Sequence, residues 1–555
     1  MKELIVSLLS DAIGRAHAAG LLKSASAEVS LEAPKDPAHG DIASNVALTM
    51  GRIEGKAPRA IAAVISAQVQ RPSAVAAVTV AGPGFINFRM APAYWHEELR
   101  RLAALGPALV RPRLGNKRRV QVEFLSANPT GPLTVGHGRN AVLGDTIARL
   151  YEATGFKVTR EYYFNNGGRQ MRLLGESVRA RYLQELGLEA AMPEDGYQGE
   201  YIRDVARDLI KRHGDGLTGP GVELEIFRAA AEKTIFADIR QSCERLRINF
   251  DVYTNELDLM RGGQVDAVLA GLRARGLVAD YDGAVWLRGE PLGLGKDEVL
   301  VRSGPEHEPT YRTPDIAYHI EKLKRGFDLV VDVFGADHIA EHQQVIAAVR
   351  ALGFDTTAVR AIIYQFVTLM RGGEKVKMST RRATYVTLDE LIEEVGADVV
   401  RFFFLFRKHD SHLDFDLDLA RRQAPENPVF YVQYAHARLA SVFREAEKAG
   451  LALPSDSSAI ALELLSEEEL GLIKRVAGLP ETVAAAVDNL EPHRLPFYLL
   501  EMAGDFHRYY NKPANRIIDP ERRQLSLARL FLAGALQHAI AGCLELLGVT
   551  APGRM

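Results

Sequence analysis

Between Arg119 and Tyr151 the residues allow one order of elements: a strand, a sharp turn and a helix. Val120, Val122 and Phe124 alternate with Gln121 and Glu123, the two-residue period of a pleated segment. Ser126-Ala-Asn-Pro-Thr-Gly-Pro132 then packs two prolines, a glycine and three small polar residues into seven positions, so the chain must turn. After Leu133-Thr-Val-Gly136-His137-Gly138, the residues Leu143, Ile147 and Leu150 recur at helical spacing until Thr154-Gly155. Gly136, His137 and Gly138 therefore fall at or near a helix N-terminus, where unpaired N–H groups and the positive end of the helix dipole favour a phosphate. Small residues let a ligand approach the backbone, and an imidazole there can hydrogen-bond a phosphoryl oxygen as charge builds. An ordinary strand-to-helix turn uses the same residues, so this stretch alone leaves both readings open.

Phe156–Phe164 is expected as a second strand closing a right-handed βαβ unit, and Asn165-Asn-Gly-Gly168 turns into a helix beginning near Arg169. Both this turn and Ser126–Gly138 lie at the carboxyl ends of strands, where a parallel sheet places its ligand crevice. Residues 175 to 300 carry charged helices and a hairpin strand at Gly283–Arg288, and read as an insertion. The parallel pattern is expected to resume with Glu298–Arg302 and Tyr311–Ala317. Asp328–Phe334 is a near-continuous apolar strand of the buried type, ending at Gly335-Ala-Asp-His338. A further strand over about Ala361–Leu369 leads through Met370-Arg-Gly-Gly373 into a loop carrying Lys375, Lys377, Arg381 and Arg382. Beside a nucleotide crevice those four cations would clamp a triphosphate and stabilise a leaving pyrophosphate. A bare charge run would be a solvated face.

The 555 residues suffice for several domains, and 47% hydrophobic with 25% charged residues is an ordinary soluble composition. Cys243 and Cys543 are far apart in helix-like contexts, so neither a disulfide framework nor a cysteine zinc site is implied and a reducing cytoplasm is expected. The opening Met1–Asp11 is too short an apolar run for a signal peptide or membrane span, so the protein is expected to start at Met1 with no membrane association. A net charge of −3 gives no global footprint for nucleic acid, so any such binding must use local patches.

Residues before about 110 read as a small separate domain, with an amphipathic helix at Leu4, Leu8, Ala12 and Ala16 and an alanine-rich helix through Val69. A short strand at Phe85–Phe88 offers Asn87 beside aromatic rings on an exposed-looking element, a pattern that holds single-stranded bases. A small core of Phe85, Ile86 and Phe88 is the other reading. From about Ala397 the pattern is helical, with Tyr431, Tyr434 and Arg438 at three- and four-residue steps and a second cluster at Phe506–Asn511 containing Tyr509, Tyr510 and Asn511. Tyrosines stacking bases while cations hold phosphates would suit RNA, and a tyrosine-lined helical core is the alternative.

Leu133-Thr-Val-Gly-His137 resembles the His-x-Gly-His motif of class I aminoacyl-tRNA synthetases, with Thr134 where the first histidine stands. Lys377-Met-Ser-Thr-Arg381, about 240 residues later, resembles their Lys-Met-Ser-Lys loop, with Thr380 for the second lysine. Glu123–Gly131, Tyr162–Gln170, Tyr311–Ala317, Gly335–His338 and Asp410–Asp416 resemble arginyl-tRNA synthetases over essentially the whole chain. The resemblance implies an α/β class, with a Rossmann-type parallel-sheet catalytic domain over 113–396 carrying an insertion at about 175–300. A small α+β N-terminal domain over 1–112 would contact the tRNA D-loop, and an all-α anticodon-binding domain would cover 397–555.

It further implies arginine activation with ATP and Mg2+, without a protein cage for the metal, and transfer to the 3′-terminal adenosine of tRNA(Arg) by a monomer. Catalysis would fall to His137, Lys377 and Ser379. ATP would be held by Thr134, Gly136, His137, Gly138, Asp337, His338, Lys375, Lys377, Met378 and Arg381. Arginine would be held by Glu123, Ser126, Asn128, Tyr311, Asp315 and His338, and tRNA by Phe85, Asn87, Tyr431, Tyr434, Arg438, Tyr509, Tyr510, Asn511 and Met555. A noncatalytic tRNA-binding relative is the alternative, because Thr134 and Thr380 each replace a family cation.

Overall fold

The computed structural model describes residues 1–34, 36–219, 221–304, 307–376 and 386–555. They divide into a unit of Met1–Gly106, Ser441–Gly478 and Asp505–Gln537 and a larger unit of Pro107–Ala440, Leu479–Gly504 and His538–Met555. In the first, β1 (Leu31–Glu32), β2 (Ile42–Ser44), β3 (Val75–Ala81) and β4 (Phe85–Met90) form an antiparallel sheet in the order β1-β2-β4-β3. The alanine-rich stretch is two helices, Val46–Glu54 and Pro58–Gln68. Gly55 caps the first at φ +64, and Pro58 opens the second where its missing N–H costs nothing. The exposed-looking strand at Phe85–Phe88 is corrected: β4 is an inner strand, so Ile86, Asn87 and Phe88 are all buried.

The larger unit follows the expected strand and helix alternation, with three departures. Its chain runs through β5 (Arg119–Glu123), helix Val135–Ala153, β6 (Lys157–Phe164) and β7 (Val252–Asn255), then a hairpin of β8 (Val278–Tyr281) and β9 (Ala284–Leu287) joined by β10 (Glu298–Val301). It continues through helix Arg312–Lys324, β11 (Leu329–Gly335), helix Ile339–Ala351 and β12 (Val359–Tyr364). β13 (Val367–Arg371), β14 (Glu374–Lys375) and β15 (Leu413–Asp416) make a separate small sheet. The main sheet is parallel, in the order β12-β11-β5-β6-β7. From β5 the chain steps outward to β6 and β7, while β11 and β12 fill the other side. The order therefore reverses between β5 and β11, where an open parallel sheet has its crevice.

Each departure has a local cause. The stretch read as an insertion supplies β7, because Val252–Asn255 is short enough to escape a periodicity count yet pairs along Glu161–Phe164. Glu298–Val301 belongs to the antiparallel sheet, and Tyr311 caps a helix instead of joining a strand; Pro314 sits in that helix's first turn, where proline is tolerated. The single strand expected over Ala361–Leu369 breaks at Gln365-Phe366, leaving β12 and β13 in different sheets.

Candidate active site

Thr134 is the N-cap of helix Val135–Ala153, and its backbone N–H donates to His137 Nδ1 at 3.1 Å while the His137 N–H reaches Thr134 Oγ1 at 3.5 Å. This is a reciprocal capping box in which an imidazole replaces the usual carboxylate. Burial pushes His137 below the ordinary histidine range, so the ring is neutral at pH 7. Because Nδ1 accepts, the ring proton sits on Nε2, leaving an uncharged donor for an anion.

The neighbouring glycines act differently from each other. A Cβ on Gly136 would meet nothing nearer than Thr134 Oγ1 at 3.7 Å, so its backbone is open to a ligand. A Cβ on Gly138 would lie 2.6 Å from Leu388 Cδ1 and 3.0 Å from Phe404 Cε2. Gly138 is thus required by packing, which corrects the expectation that it opens the approach. The next two residues brace the helix. Buried Arg139 donates to the carbonyls of Gln365, Ser411 and Lys408, and Asn140 accepts from Leu125 N–H at 2.6 Å while donating to the Val333 carbonyl at 3.0 Å. Leu125 and Ser126 take φ values of +68 and +45, a strain of about 1–3 kcal/mol each that these bonds help to hold.

At the crevice, Glu123 of β5 lies opposite Asp332 of β11 in register. Lys322, fully buried, places its ammonium between them, on Glu123 Oε2 and on Asp332 Oδ1 at 2.7 Å. Ser126 Oγ donates to the other oxygen of Glu123 at 2.9 Å. One helical turn earlier His319 bridges Asp332 Oδ2 at 3.1 Å and Asp315 Oδ1 at 3.0 Å. The Lys322 ammonium also lies 4.2 Å over the Tyr318 ring, which stacks on Tyr163 at 4.5 Å.

Burial opposes charge on every member, and their mutual pairing answers it. Asp315 is held below the usual carboxylate range by His319 and Lys322 against the cost of burial, and Asp332 well below it by Lys322 and His319. Burial and the Asp332 charge raise Glu123, with Lys322 pulling the other way. Burial disfavours the charged form of His319 as well, but Asp315 and Asp332 carry it up to about 10, so it is an imidazolium at neutral pH. Three carboxylates against two cations, −3 + 2, leave one uncompensated negative charge. The crevice is set for one more cation.

Glu256, missed in the sequence because it lay inside the supposed insertion, adds a further carboxylate. It stands directly after β7 at a strand's carboxyl end, and that placement was the signal. Its oxygens accept from Tyr163 OH at 2.9 Å and Asn165 Nδ2 at 2.7 Å. Burial, with help from Asp315 and Glu341, pushes it up to about 7.

Of the other expected residues, Asn128 accepts from Asn165 N–H at 2.9 Å and donates to Gln170 at 3.2 Å, and Tyr311 is exposed at the entrance to its helix. Asp337 and His338 are exposed just past β11, with His338 Nδ1 3.3 Å from Glu341, whose hydrogen bond raises the imidazole's pKa. Lys375 is exposed on β14. Lys377, Met378, Ser379 and Arg381 lie outside the described residues. His319, Asp332 and His342 are grouped closely enough to ligate an ion, but His319 and Asp332 are engaged with Asp315 and Lys322. Among the tRNA candidates, Phe85, Tyr431, Tyr434, Arg438 and Tyr510 are half-buried, and Asn511 and Met555 are exposed. Arg438 lies 4.7 Å over the Tyr434 ring. Tyr509 is a core residue, 3% exposed, whose hydroxyl donates to Glu469 at 2.7 Å; the expectation that it faces RNA is corrected.

The family described as "tRNA synthetases class I (R), catalytic domain" matches residues 103–402. The arginyl-tRNA synthetase N-terminal domain matches 3–90, and the DALR anticodon binding domain matches 432–555. The chain is 49% identical over 526 residues to the arginine–tRNA ligase of Desulfotalea psychrophila, covering 95% of this chain and 94% of the relative. This chain belongs to the arginyl-tRNA synthetase family. It is 48% identical to the family member from Salinibacter ruber over 547 residues, covering 95% and 96% of the two chains. The arginyl-tRNA synthetase structure from Thermus thermophilus shares the fold, with a TM-score of 0.74 at 24% identity over 99% of this chain and all of that one. Membership gives the crevice its context: a class I synthetase uses ATP, and the N-cap of Val135–Ala153 and the β5/β11 carboxylates sit at the crevice of its parallel sheet.

Proposed function

We propose that the chain is an arginine–tRNA ligase that condenses L-arginine with ATP to arginyl-adenylate and passes the arginyl group to the 3′-terminal adenosine of tRNA(Arg), releasing pyrophosphate and AMP. The observation that carries the substrate choice is the excess of carboxylates over cations among Glu123, Asp315, Asp332, Lys322 and His319, three against two. A guanidinium is a planar fork that carboxylates bind through paired hydrogen bonds, whereas an ammonium offers a point charge. Asp315, with about a third of its side chain accessible, and Glu123 hold the guanidinium in this reading, and Glu256 completes the acidic wall. Ser126, Asn128, Tyr311 and His338 line the rest of the amino-acid site.

Attack of the arginine carboxylate oxygen on the α-phosphorus forms the adenylate and breaks the bond to pyrophosphate. His137 Nε2–H and the open backbone at Gly136 steady the phosphate oxygens, and the cations at 375–382 carry the negative charge of the leaving group. Mg2+ enters with the triphosphate, because its preference for oxygen donors does not fit the imidazole-rich group of His319, Asp332 and His342. In the second step the tRNA 3′-terminal hydroxyl attacks the adenylate carbonyl and AMP departs.

The division at 1–112, 113–396 and 397–555, with D-loop contact by the first part and anticodon contact by the last, belongs to the same reading, as do a monomeric state and a cytoplasmic location. One described helix, Arg523–Leu546, is long and apolar enough to cross a membrane, and 72% of its apolar window is buried within the protein, as in a core helix. The test is charging of total tRNA with labelled amino acids, ATP and Mg2+, on this protein and Lys377→Ala. Charging with arginine alone, reduced about 100-fold or more in kcat by the substitution, is expected. Saturable tRNA binding without any charging would instead favour the noncatalytic relative.

A further inference from the structure

The strand register puts two buried carboxylates side by side at the crevice, since Glu123 and Asp332 are direct neighbours on β5 and β11. Adjacent strands are about 4.8 Å apart, and like charges at that spacing away from water cannot both persist uncompensated. Lys322 supplies the compensation from the last turn of its helix, with none of its side chain exposed. The resulting geometry is directional. Glu123 Oε2 takes the ammonium and Oε1 takes the Ser126 hydroxyl, fixing both ends of the carboxylate while 16% of the side chain stays accessible. Below the ammonium, Asp332 is spoken for on both oxygens by Lys322 and His319.

We propose that Lys322 is a positioning residue for arginine recognition: its ammonium, clamped between Glu123 and Asp332, keeps the Glu123 carboxylate ionised and turned toward the crevice. This rests on the reading of Glu123 as an arginine ligand. The ammonium never touches the substrate; it acts through Glu123. The titratable and charged groups around Glu123 are Lys322, Tyr318 and Asp315 on helix Arg312–Lys324, Asp332 on β11 and Tyr163 on β6. Without the ammonium, Glu123 is left among carboxylates and phenols, and it takes up a proton or swings away. Arginine then loses an ionised partner, while the helix cap and the loop that serve ATP are untouched.

The test is a double-mutant cycle of Lys322→Met and Glu123→Gln in the full-length protein, with the KM values for arginine, ATP and tRNA measured separately and arginine affinity read by calorimetry. Lys322→Met is expected to raise the arginine KM by about 30-fold or more, with the other two KM values within about twofold of wild type. In the Glu123→Gln background the same substitution should add less than about threefold, because the group it acts through is gone. The arginine KM of Lys322→Met should also fall with rising pH more steeply than that of the wild type, as Glu123, raised further once the ammonium is gone, loses its proton. Additive effects across the cycle would overturn the proposal, as would an equal rise in all three KM values. Glu123→Gln with an unchanged arginine KM would instead overturn the reading of Glu123 itself. Should a Lys322→Met variant fail to fold, Lys322→Gln takes its place in the cycle, retaining a hydrogen-bond donor toward Glu123 and Asp332 without the charge. It is judged by the same arginine KM.

Discussion

In the proposed reading, the two sides of the crevice hold their substrates by different means. On the nucleotide side the groups at the helix N-terminus are uncharged: a neutral imidazole, a threonine hydroxyl and the backbone of Gly136. On the amino-acid side the centre is a cluster of paired ions, with Lys322 and His319 set against Glu123, Asp315 and Asp332. The difference follows the ligands. A triphosphate brings its own charge and magnesium, so dipoles serve it, and the cations of the sequence at 375–382 would complete the site. A guanidinium must be told from an isostere of the same shape, and only a charge left unpaired by the wrong ligand does that at a high factor.

The sharpest way to break this contrast is Asp315→Asn, which keeps the shape and removes the charge. It should lower kcat/KM for arginine by roughly a thousandfold, read by steady-state charging, because His319 is left as a buried cation with one partner fewer. On the other side His137→Ala should lower kcat by about 100-fold and leave the arginine KM within about threefold. His137→Asn restores a side-chain acceptor near Thr134 N–H, so it should recover stability without recovering the rate. A smaller effect is set by pH. Glu256, raised to about 7, is neutral below that point and ionised above it, and guanidinium binding favours the ionised form. Arginine affinity should therefore level off above about pH 7 and weaken as pH falls through it, by at most about tenfold per unit, with the slope lost in Glu256→Gln.

These same contrasts explain what could be read from the residues alone. The place of His137 was legible because proline and glycine chemistry fixes a turn and a helix entrance after β5, whereas Glu123, Ser126 and Asp315 were named through the resemblance alone, with Asp315 expected on a strand where a helix stands. The reciprocal cap of Thr134 and His137 was hidden, since an imidazole in the capping role has no pattern of its own. Lys322, His319 and Asp332 were hidden for a different reason. On a helix a lysine and a histidine three residues apart look like solvated face, and an aspartate in an apolar strand looks like a lapse; only the alignment of β5 with β11 makes them a network. β7 and Glu256 escaped because a four-residue strand after long charged helices carries too few positions for a period. Tyr509 went the other way: its helical spacing suited a core slightly better than a base-stacking face, the resemblance pointed to RNA, and the Glu469 partner on another helix shows the core.

The most direct test of the ionic crevice is competition between labelled arginine and citrulline, its neutral near-isostere, for charging onto total tRNA by the wild type and by Asp315→Asn. The ionic account predicts that the wild type charges arginine alone and that the substitution narrows the arginine-to-citrulline ratio by at least about a hundredfold, mainly through loss of arginine. A ratio unchanged by Asp315→Asn would show that the amino acid is chosen elsewhere, and would contradict the account.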